Sequence, residues 1–197
     1  MRSFLFLANG FEEIEAFTTV DVMRRAGMDV KTVSINADRK ATGAHGVIVT
    51  ADATFNECDF DGAEWLILPG GMPGATNLHE HTGLAALLKA QAIQGKIAAI
   101  CAAPAVVLAP LGILKDREAT CYPGFEAMCA QGDAICKDAP VVALNNLVTG
   151  NGPAAASSFA LAIVANSLGA SVAAEVAAGM LYALALCRCI ISPCRFV

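Results

Sequence analysis

Short apolar runs alternate with longer stretches of helical spacing along this chain, and that alternation predicts its elements. Arg2 to Ala8 reads as a strand, Asn9-Gly10 as a turn, and Phe11 to Ala26 as a helix that stops at Gly27. Asp29 to Ile35 supplies a second strand, so the order strand, helix, strand opens a doubly wound sheet with a right-handed crossover. Gly46 to Ala51 reads as a small strand or hairpin excursion with His45 at its start, and Glu64 to Leu68 as the next core strand. An amphipathic helix from Gly83 to Gln94 follows, with Leu84, Leu87, Leu88 and Ile93 near helical spacing.

Ile97 to Ile100 is apolar without polar alternation, as expected of a strand covered on both faces. It runs into a predicted helix from Ala102 to Leu111, with Pro104 in the first turn and Gly112 as the stop. Beyond it the pattern predicts an element at Glu118 to Tyr122, a short helix near Phe125 to Ala130, and strands at Pro140 to Leu144 and Leu147 to Thr149. Helices at Ala154 to Leu168 and Ser171 to Tyr182 close the series.

The corner between the strand at Ile97 and the following helix carries Cys101. A thiol there faces unpaired backbone N–H groups and the positive end of a helix dipole, which favour thiolate and make a nucleophile. Free cysteine is also among the most buried residue types, so an inert core thiol is the competing reading of position alone. Pro69-Gly70-Gly71-Met72-Pro73-Gly74 follows a core strand and lets backbone N–H groups approach a ligand. No Gly-Lys-Ser/Thr follows it, so it is no phosphate loop, but it suits oxyanion binding. Glu12, Glu13 and Glu15 crowd a first helical turn, where acidic residues complement the dipole.

Composition narrows the field. A chain of 197 residues predicts one domain, and a hydrophobic content of 56% with 16% charged residues suits a sheet buried on both faces. The net charge of −5, without a basic cluster, argues against nucleic-acid and anionic-membrane partners. Pro and Gly interrupt the two long uncharged runs, and Glu12 and Glu13 arrive too early for a signal peptide, so a cytoplasmic location is expected. The eight cysteines are scattered and read as thiols; Cys187, Cys189 and Cys194, without histidine or paired knuckles, make a poor zinc site. His79-Glu80-His81 reads as a solvated helix start rather than a metal site.

Four motifs then align: Gly10-Phe11-Glu12-Glu13-Ile14-Glu15, Leu68-Pro69-Gly70-Gly71, Ala98-Ala99-Ile100-Cys101-Ala102-Ala103-Pro104, and Gly152-Pro153 leading into Ser158 to Val164. Together they resemble the ThiJ/PfpI family, in the branch of the parkinsonism-associated protein deglycase, over residues 2–182. The resemblance implies a flavodoxin-like three-layer α/β/α sandwich with a mostly parallel sheet, Cys101 on a nucleophile elbow and Glu15 hydrogen-bonded to it. A carboxyl beside a buried thiolate is expected to be protonated. The backbone N–H groups of Gly71 and Ala102 match the family's oxyanion or sulfinate site, and Gly70, Tyr122, Gly152 and Pro153 fall around it.

The resemblance implies a cofactor- and metal-independent enzyme acting on methylglyoxal, glyoxal or their early adducts, and a homodimer. The alternative is a redox-responsive chaperone or stress sensor in which Cys101 becomes a sulfinate. A thiazole-phosphate biosynthetic step, an old family label, ranks last for want of a phosphate site. Ala102 stands where the peptidase-like branch has histidine, which argues against amide hydrolysis. Tyr122 stands where the human-like branch has a pocket histidine, and Asn151 where it has an arginine. Residues 183–197 have no counterpart and read as an extraneous or frameshifted tail after a single domain at 1–182.

Overall fold

The structure is a computed structural model and describes residues 1–182. The tail at 183–197, with its three cysteines, lies outside the described residues. The elements are β1 (Arg2–Leu7), α1 (Glu13–Arg25), β2 (Asp29–Ser34), β3 (Lys40–Thr42), β4 (Ile48–Thr50), β5 (Ala53–Thr54) and β6 (Trp65–Leu68). They continue with α2 (Gly74–Glu80), α3 (Thr82–Gln94), β7 (Lys96–Ile100), β8 (Glu118–Ala119), α4 (Glu126–Gln131) and β9 (Ile135–Cys136). The last are β10 (Val141–Leu144), β11 (Leu147–Gly150), α5 (Ala156–Leu168) and α6 (Ala170–Gly179).

The central sheet has seven strands in the order β10-β11-β7-β6-β1-β2-β5. Every pairing is parallel except β10 with β11, which Asn145-Asn146 joins as a hairpin. Ile97, Ala98, Ala99 and Ile100 are all buried because helices cover both faces. One layer packs Phe11, Val22, Met23, Trp65 and Phe159 between the sheet and α1, α5 and α6. The other packs Phe4, Phe6, Leu68, Leu78 and Leu88 beneath α2, α3 and α4. This is a mostly parallel sheet between two helical layers, a flavodoxin-like sandwich.

Strand order reverses between β1 and β6: from β1 the chain builds outward to β2, and from β6 outward to β7. In open α/β sheets that crevice, at the carboxyl ends of the strands, is where ligands bind. The segments leaving β1, β6 and β7 all reach it.

Two sequence expectations need correction. The helix expected at Ala102 to Leu111 is a π-type turn at Pro104–Leu108, in which Ala109 N–H donates to the Pro104 carbonyl at 3.0 Å. His79-Glu80-His81 does not start a solvated helix. It ends α2, and His81 caps α3, its Nδ1 accepting from Leu84 N–H at 2.9 Å while its ring stacks on Phe55 at 4.6 Å. The short strand β9, pairing Cys136 with Ala119, was not anticipated. No helix among the described residues is long and apolar enough to cross a membrane.

Candidate active site

Strand β7 ends at Ile100, in register with Gly150 of β11, and the next residue turns sharply. Cys101 has φ +64°, a left-handed conformation that side chains other than glycine adopt at a cost. Two main-chain bonds hold it there: Cys101 N–H donates to the Gly150 carbonyl at 2.9 Å, and Tyr122 N–H donates to the Cys101 carbonyl at 2.8 Å. This is the strained strand-to-turn corner of a nucleophile elbow.

Glu15 arrives from the opposite side. Its helix α1 buries Glu15, Ala16, Thr19, Val20, Val22 and Met23 along one face, so the periodicity that builds the core also directs this carboxyl inward. Glu12 N–H donates to the Gly70 carbonyl at 3.0 Å, and Gly70 N–H donates to Glu15 Oε2 at 2.7 Å. The loop after β6 therefore clamps the start of α1. A β-carbon at Gly70 would lie 2.6 Å from the Cys101 β-carbon and 2.9 Å from Glu15 Oε2. At Gly71, φ is +86° and a β-carbon would meet the Gly10 carbonyl oxygen at 2.4 Å. The two glycines are what let α1, the loop and the elbow converge.

Glu15 is wholly buried, and burial pushes its carboxyl up to about 7, against the opposing Gly70 hydrogen bond. Its Oε1 has no hydrogen-bond partner. Burial likewise pushes the Cys101 thiol up to about 12, and the Glu15 charge adds to it. The N–H groups of Gly71 and Ala102 reach the sulfur and pull the other way without prevailing. Burial thus opposes the thiolate that a helix terminus would favour, and the segment after Cys101 is a short π-type turn rather than a long helix. The pair shares its protons instead: ionising either group opposes ionising the other.

A cavity of about 450 Å³ opens above the sulfur, lined by Cys101, Gly71, Ala102, Tyr122 and Pro153. Gly70 and Glu15 lie beneath it, and Gly152 sits against the Tyr122 ring, a β-carbon there falling 3.2 Å from Tyr122 Cδ2. The expected site residues therefore come together. Asn151 does not: it lines a separate cavity of about 270 Å³ with Cys121 and Cys136. Sequence reasoning left out Glu12, Ile14, His45, Met72 and Phe125, which share the wall of the larger cavity. Glu12 and Ile14 lie within a motif and Met72 adjoins one, a signal that was available; His45 comes from a distant hairpin and gave none.

Among the described residues, Glu12, Glu13 and His45 bring metal-type donor atoms within 4.8 Å of one another. Several of their atoms are already engaged: Glu12 Oε1 caps Ile14 N–H at 3.4 Å, and Glu13 accepts from His45 N–H at 2.8 Å and approaches its Nδ1 at 2.8 Å. The group serves as a clip between the hairpin and α1.

Residues 1–166 match the DJ-1/PfpI family. The Parkinson disease protein 7 homolog of Danio rerio is 36% identical over 183 residues, covering 91% of this chain and 96% of that protein. The glutathione-independent glyoxalase DJR-1.2 of Caenorhabditis elegans is 34% identical over 154 residues, covering 78% and 81%. The chain spans 39% of the length of another relative, Protein DJ-1 homolog B of Arabidopsis thaliana. Among solved structures, oxidized Toxoplasma gondii DJ-1 superimposes with a TM-score of 0.88 at 34% identity, over 92% of this chain and 98% of that one.

Proposed function

Because the chain belongs to the DJ-1/PfpI family, we propose that it is a cofactor-independent glyoxalase or deglycase-type enzyme whose substrates are small α-oxoaldehydes or their early adducts. The observation that carries this reading is the pairing of an elbow thiol with a buried carboxyl raised to about 7, beneath a cavity of small-molecule size. A relative named a glutathione-independent glyoxalase supports it.

In this reading Glu15 accepts the Cys101 proton as sulfur attacks the aldehyde carbon. The carbon–sulfur bond forms and the carbonyl electrons move to oxygen. Gly71 and Ala102 N–H groups stabilise that oxyanion, which takes the proton back from Glu15 to give a hemithioacetal. Transfer of the C1 hydrogen to C2, with the C1 hydroxyl proton passing to the C2 oxygen, makes a thioester. Water then releases it as a hydroxy acid and restores the thiol. The route uses neither metal nor nucleotide, and Ala102 leaves no adjacent histidine for peptide hydrolysis. A homodimer belongs to the same proposal, with exposed Ile14 and Phe17 of α1 and Val47 and Ile48 of the β3–β4 hairpin as an apolar surface for a second copy.

The test is lactate or glycolate formation from methylglyoxal or glyoxal by wild type, Cys101→Ser and Glu15→Gln in metal-free buffer. Turnover that needs both side chains establishes the enzyme. Turnover retained by Cys101→Ser overturns it. The second reading, a redox sensor using a Cys101 sulfinate, is favoured by the donors already aimed at sulfur from Gly71 and Ala102. Two oxygens added at Cys101 before other thiols react, in a protein without carbonyl turnover, select that reading.

A further inference from the structure

The hairpin of β3 and β4 is pinned to the start of α1 through one carboxylate. Glu13 Oε1 accepts the backbone N–H of His45 at 2.8 Å and of Val47 at 3.5 Å, while Glu13 Oε2 lies 2.8 Å from His45 Nδ1. Main-chain bonds add to this, Gly10 N–H donating to the Thr42 carbonyl at 2.7 Å and Ala44 N–H to the Phe11 carbonyl at 2.8 Å. A β-carbon on Gly43 would overlap the Glu13 carboxylate at 2.1 Å, so the hairpin approaches as closely as it does only with glycine there.

The clip fixes an imidazole at the mouth of the cavity that holds Cys101. Its side chain is 70% exposed, yet anchored at one ring nitrogen. With Nδ1–H donated to Glu13, Nε2 is the nitrogen left for another partner. The titratable groups around the ring are Glu12, 3.6 Å away, and Glu13, both from α1; Cys101 and Tyr122 share the cavity wall. The hydrogen bond to Glu13, then the Glu12 charge, hold His45 above its ordinary value, which favours the imidazolium as a proton donor.

We propose that His45 is a catalytic acid–base residue of this pocket, exchanging protons with the substrate's two oxygens during the rearrangement of the hemithioacetal, while Glu15 exchanges them with its carbons in that step. The proposal rests on the carbonyl-processing reading above. In the hemithioacetal, Glu15 carboxylate removes the proton on C1, the C–H electron pair forms the C1–C2 double bond, and His45 protonates the C2 oxygen to give an enediol. Glu15 then returns its proton to C2, His45 takes the C1 hydroxyl proton, and the thioester results with both residues restored. Water is the only co-reactant, consumed when it adds to C1 and the C1–S bond breaks.

His45→Asn is the informative variant, because the Asn amide offers an N–H to Glu13 where Nδ1–H did and keeps the hairpin in place. The measurements are kcat and KM for methylglyoxal from pH 5 to 9 and the rate of Cys101 alkylation by iodoacetamide. Expected for His45→Asn are a kcat about 100-fold lower, KM within threefold, and loss of the alkaline limb expected of wild type, with alkylation unchanged. A kcat within threefold and an unaltered pH profile overturn the role of His45 and leave the glyoxalase reading intact. A wild type that makes no hydroxy acid overturns both.

Discussion

Gly70 donates its backbone N–H to Glu15 Oε2 at 2.7 Å, while Oε1 of the same carboxyl has no partner among the described residues. The hydrogen bonds from Gly70 and Cys101 do not offset complete burial, so the proton binds more tightly in the folded chain than in the unfolded one. A raised folded value favours the native state at low pH. Stability is lost as pH climbs from about 4.5 to about 7, by about 3 kcal/mol in all.

Glu15→Gln keeps an oxygen for the Gly70 N–H and removes the ionisation. The variant is therefore expected to melt higher than wild type at pH 8, by several degrees, with a much smaller difference at pH 5. Thermal denaturation at the two pH values checks this. A difference that does not change with pH means that Glu15 does not titrate in that range.

Gly70→Ala places a methyl group 2.6 Å from the Cys101 β-carbon and 2.9 Å from Glu15 Oε2. The Cys101 β-carbon is fixed by its backbone, and Glu15 Oε2 is buried and held by the Gly70 N–H at 2.7 Å. A loss of about 1–3 kcal/mol and of at least tenfold in turnover is expected. Gly150→Ala is the contrast: its methyl group meets Ile100 Cδ1 and Cγ1, both at 2.9 Å, and Phe159 Cδ2 at 3.2 Å, atoms of the apolar core rather than of the Cys101–Glu15 pair. That variant should lose stability and retain most of its turnover. Equal effects on turnover would remove the argument for Gly70.

The sheet was legible because period and punctuation agree in this chain. Apolar runs such as Ile97 to Ile100 have the length and unbroken hydrophobicity of strands buried on both faces, and Gly27 and Gly95 mark helix ends. Cys101, Gly70, Gly71 and Glu15 were legible through the motifs around them. The turn after Cys101 was not, because Pro104 permits a helix start equally well in an α or a π geometry. His81 was misplaced because its cap depends on where α2 stops, and no propensity marks that point. His45 reaches the cavity through the Glu13 clip, a contact 32 residues apart in sequence. Ionisation was the other blind spot: a dipole argument gives the sign of one influence on Cys101, and burial in the fold adds one of opposite sign.

Turnover in the proposed reaction needs Glu15 as an unprotonated acceptor, so kcat/KM should fall below a pH near 7. The Glu12 charge helps hold Glu15 up, after burial. Glu12→Gln retains an oxygen to cap Ile14 N–H and removes that charge, so its acid limb should move to lower pH. Glu13→Gln, whose charge acts on His45, should leave the acid limb in place and move the alkaline one. An acid limb that does not move in Glu12→Gln assigns it to another group.

The order of ionisation within the Glu15–Cys101 pair can be read from alkylation. Burial and then the Glu15 charge push the Cys101 thiol up to about 12, so in wild type at pH 8 the sulfur is almost wholly protonated and should react slowly with iodoacetamide. Exposed Cys136 should be labelled ahead of it, and wholly buried Cys129 last. In Glu15→Gln the opposing charge is gone while the Gly71 and Ala102 N–H groups still reach the sulfur, so the thiolate fraction rises and labelling should quicken several-fold. The same variant should nevertheless fail to turn over, since it cannot carry the proton between sulfur, oxygen and carbon. Peptide mapping of the labelled protein separates Cys101 from the other thiols. Slower labelling in Glu15→Gln reverses the assignment: it places the proton on Glu15 Oε1, donated to a resting thiolate, and the proposed reaction then begins with a charged nucleophile rather than with a proton transfer.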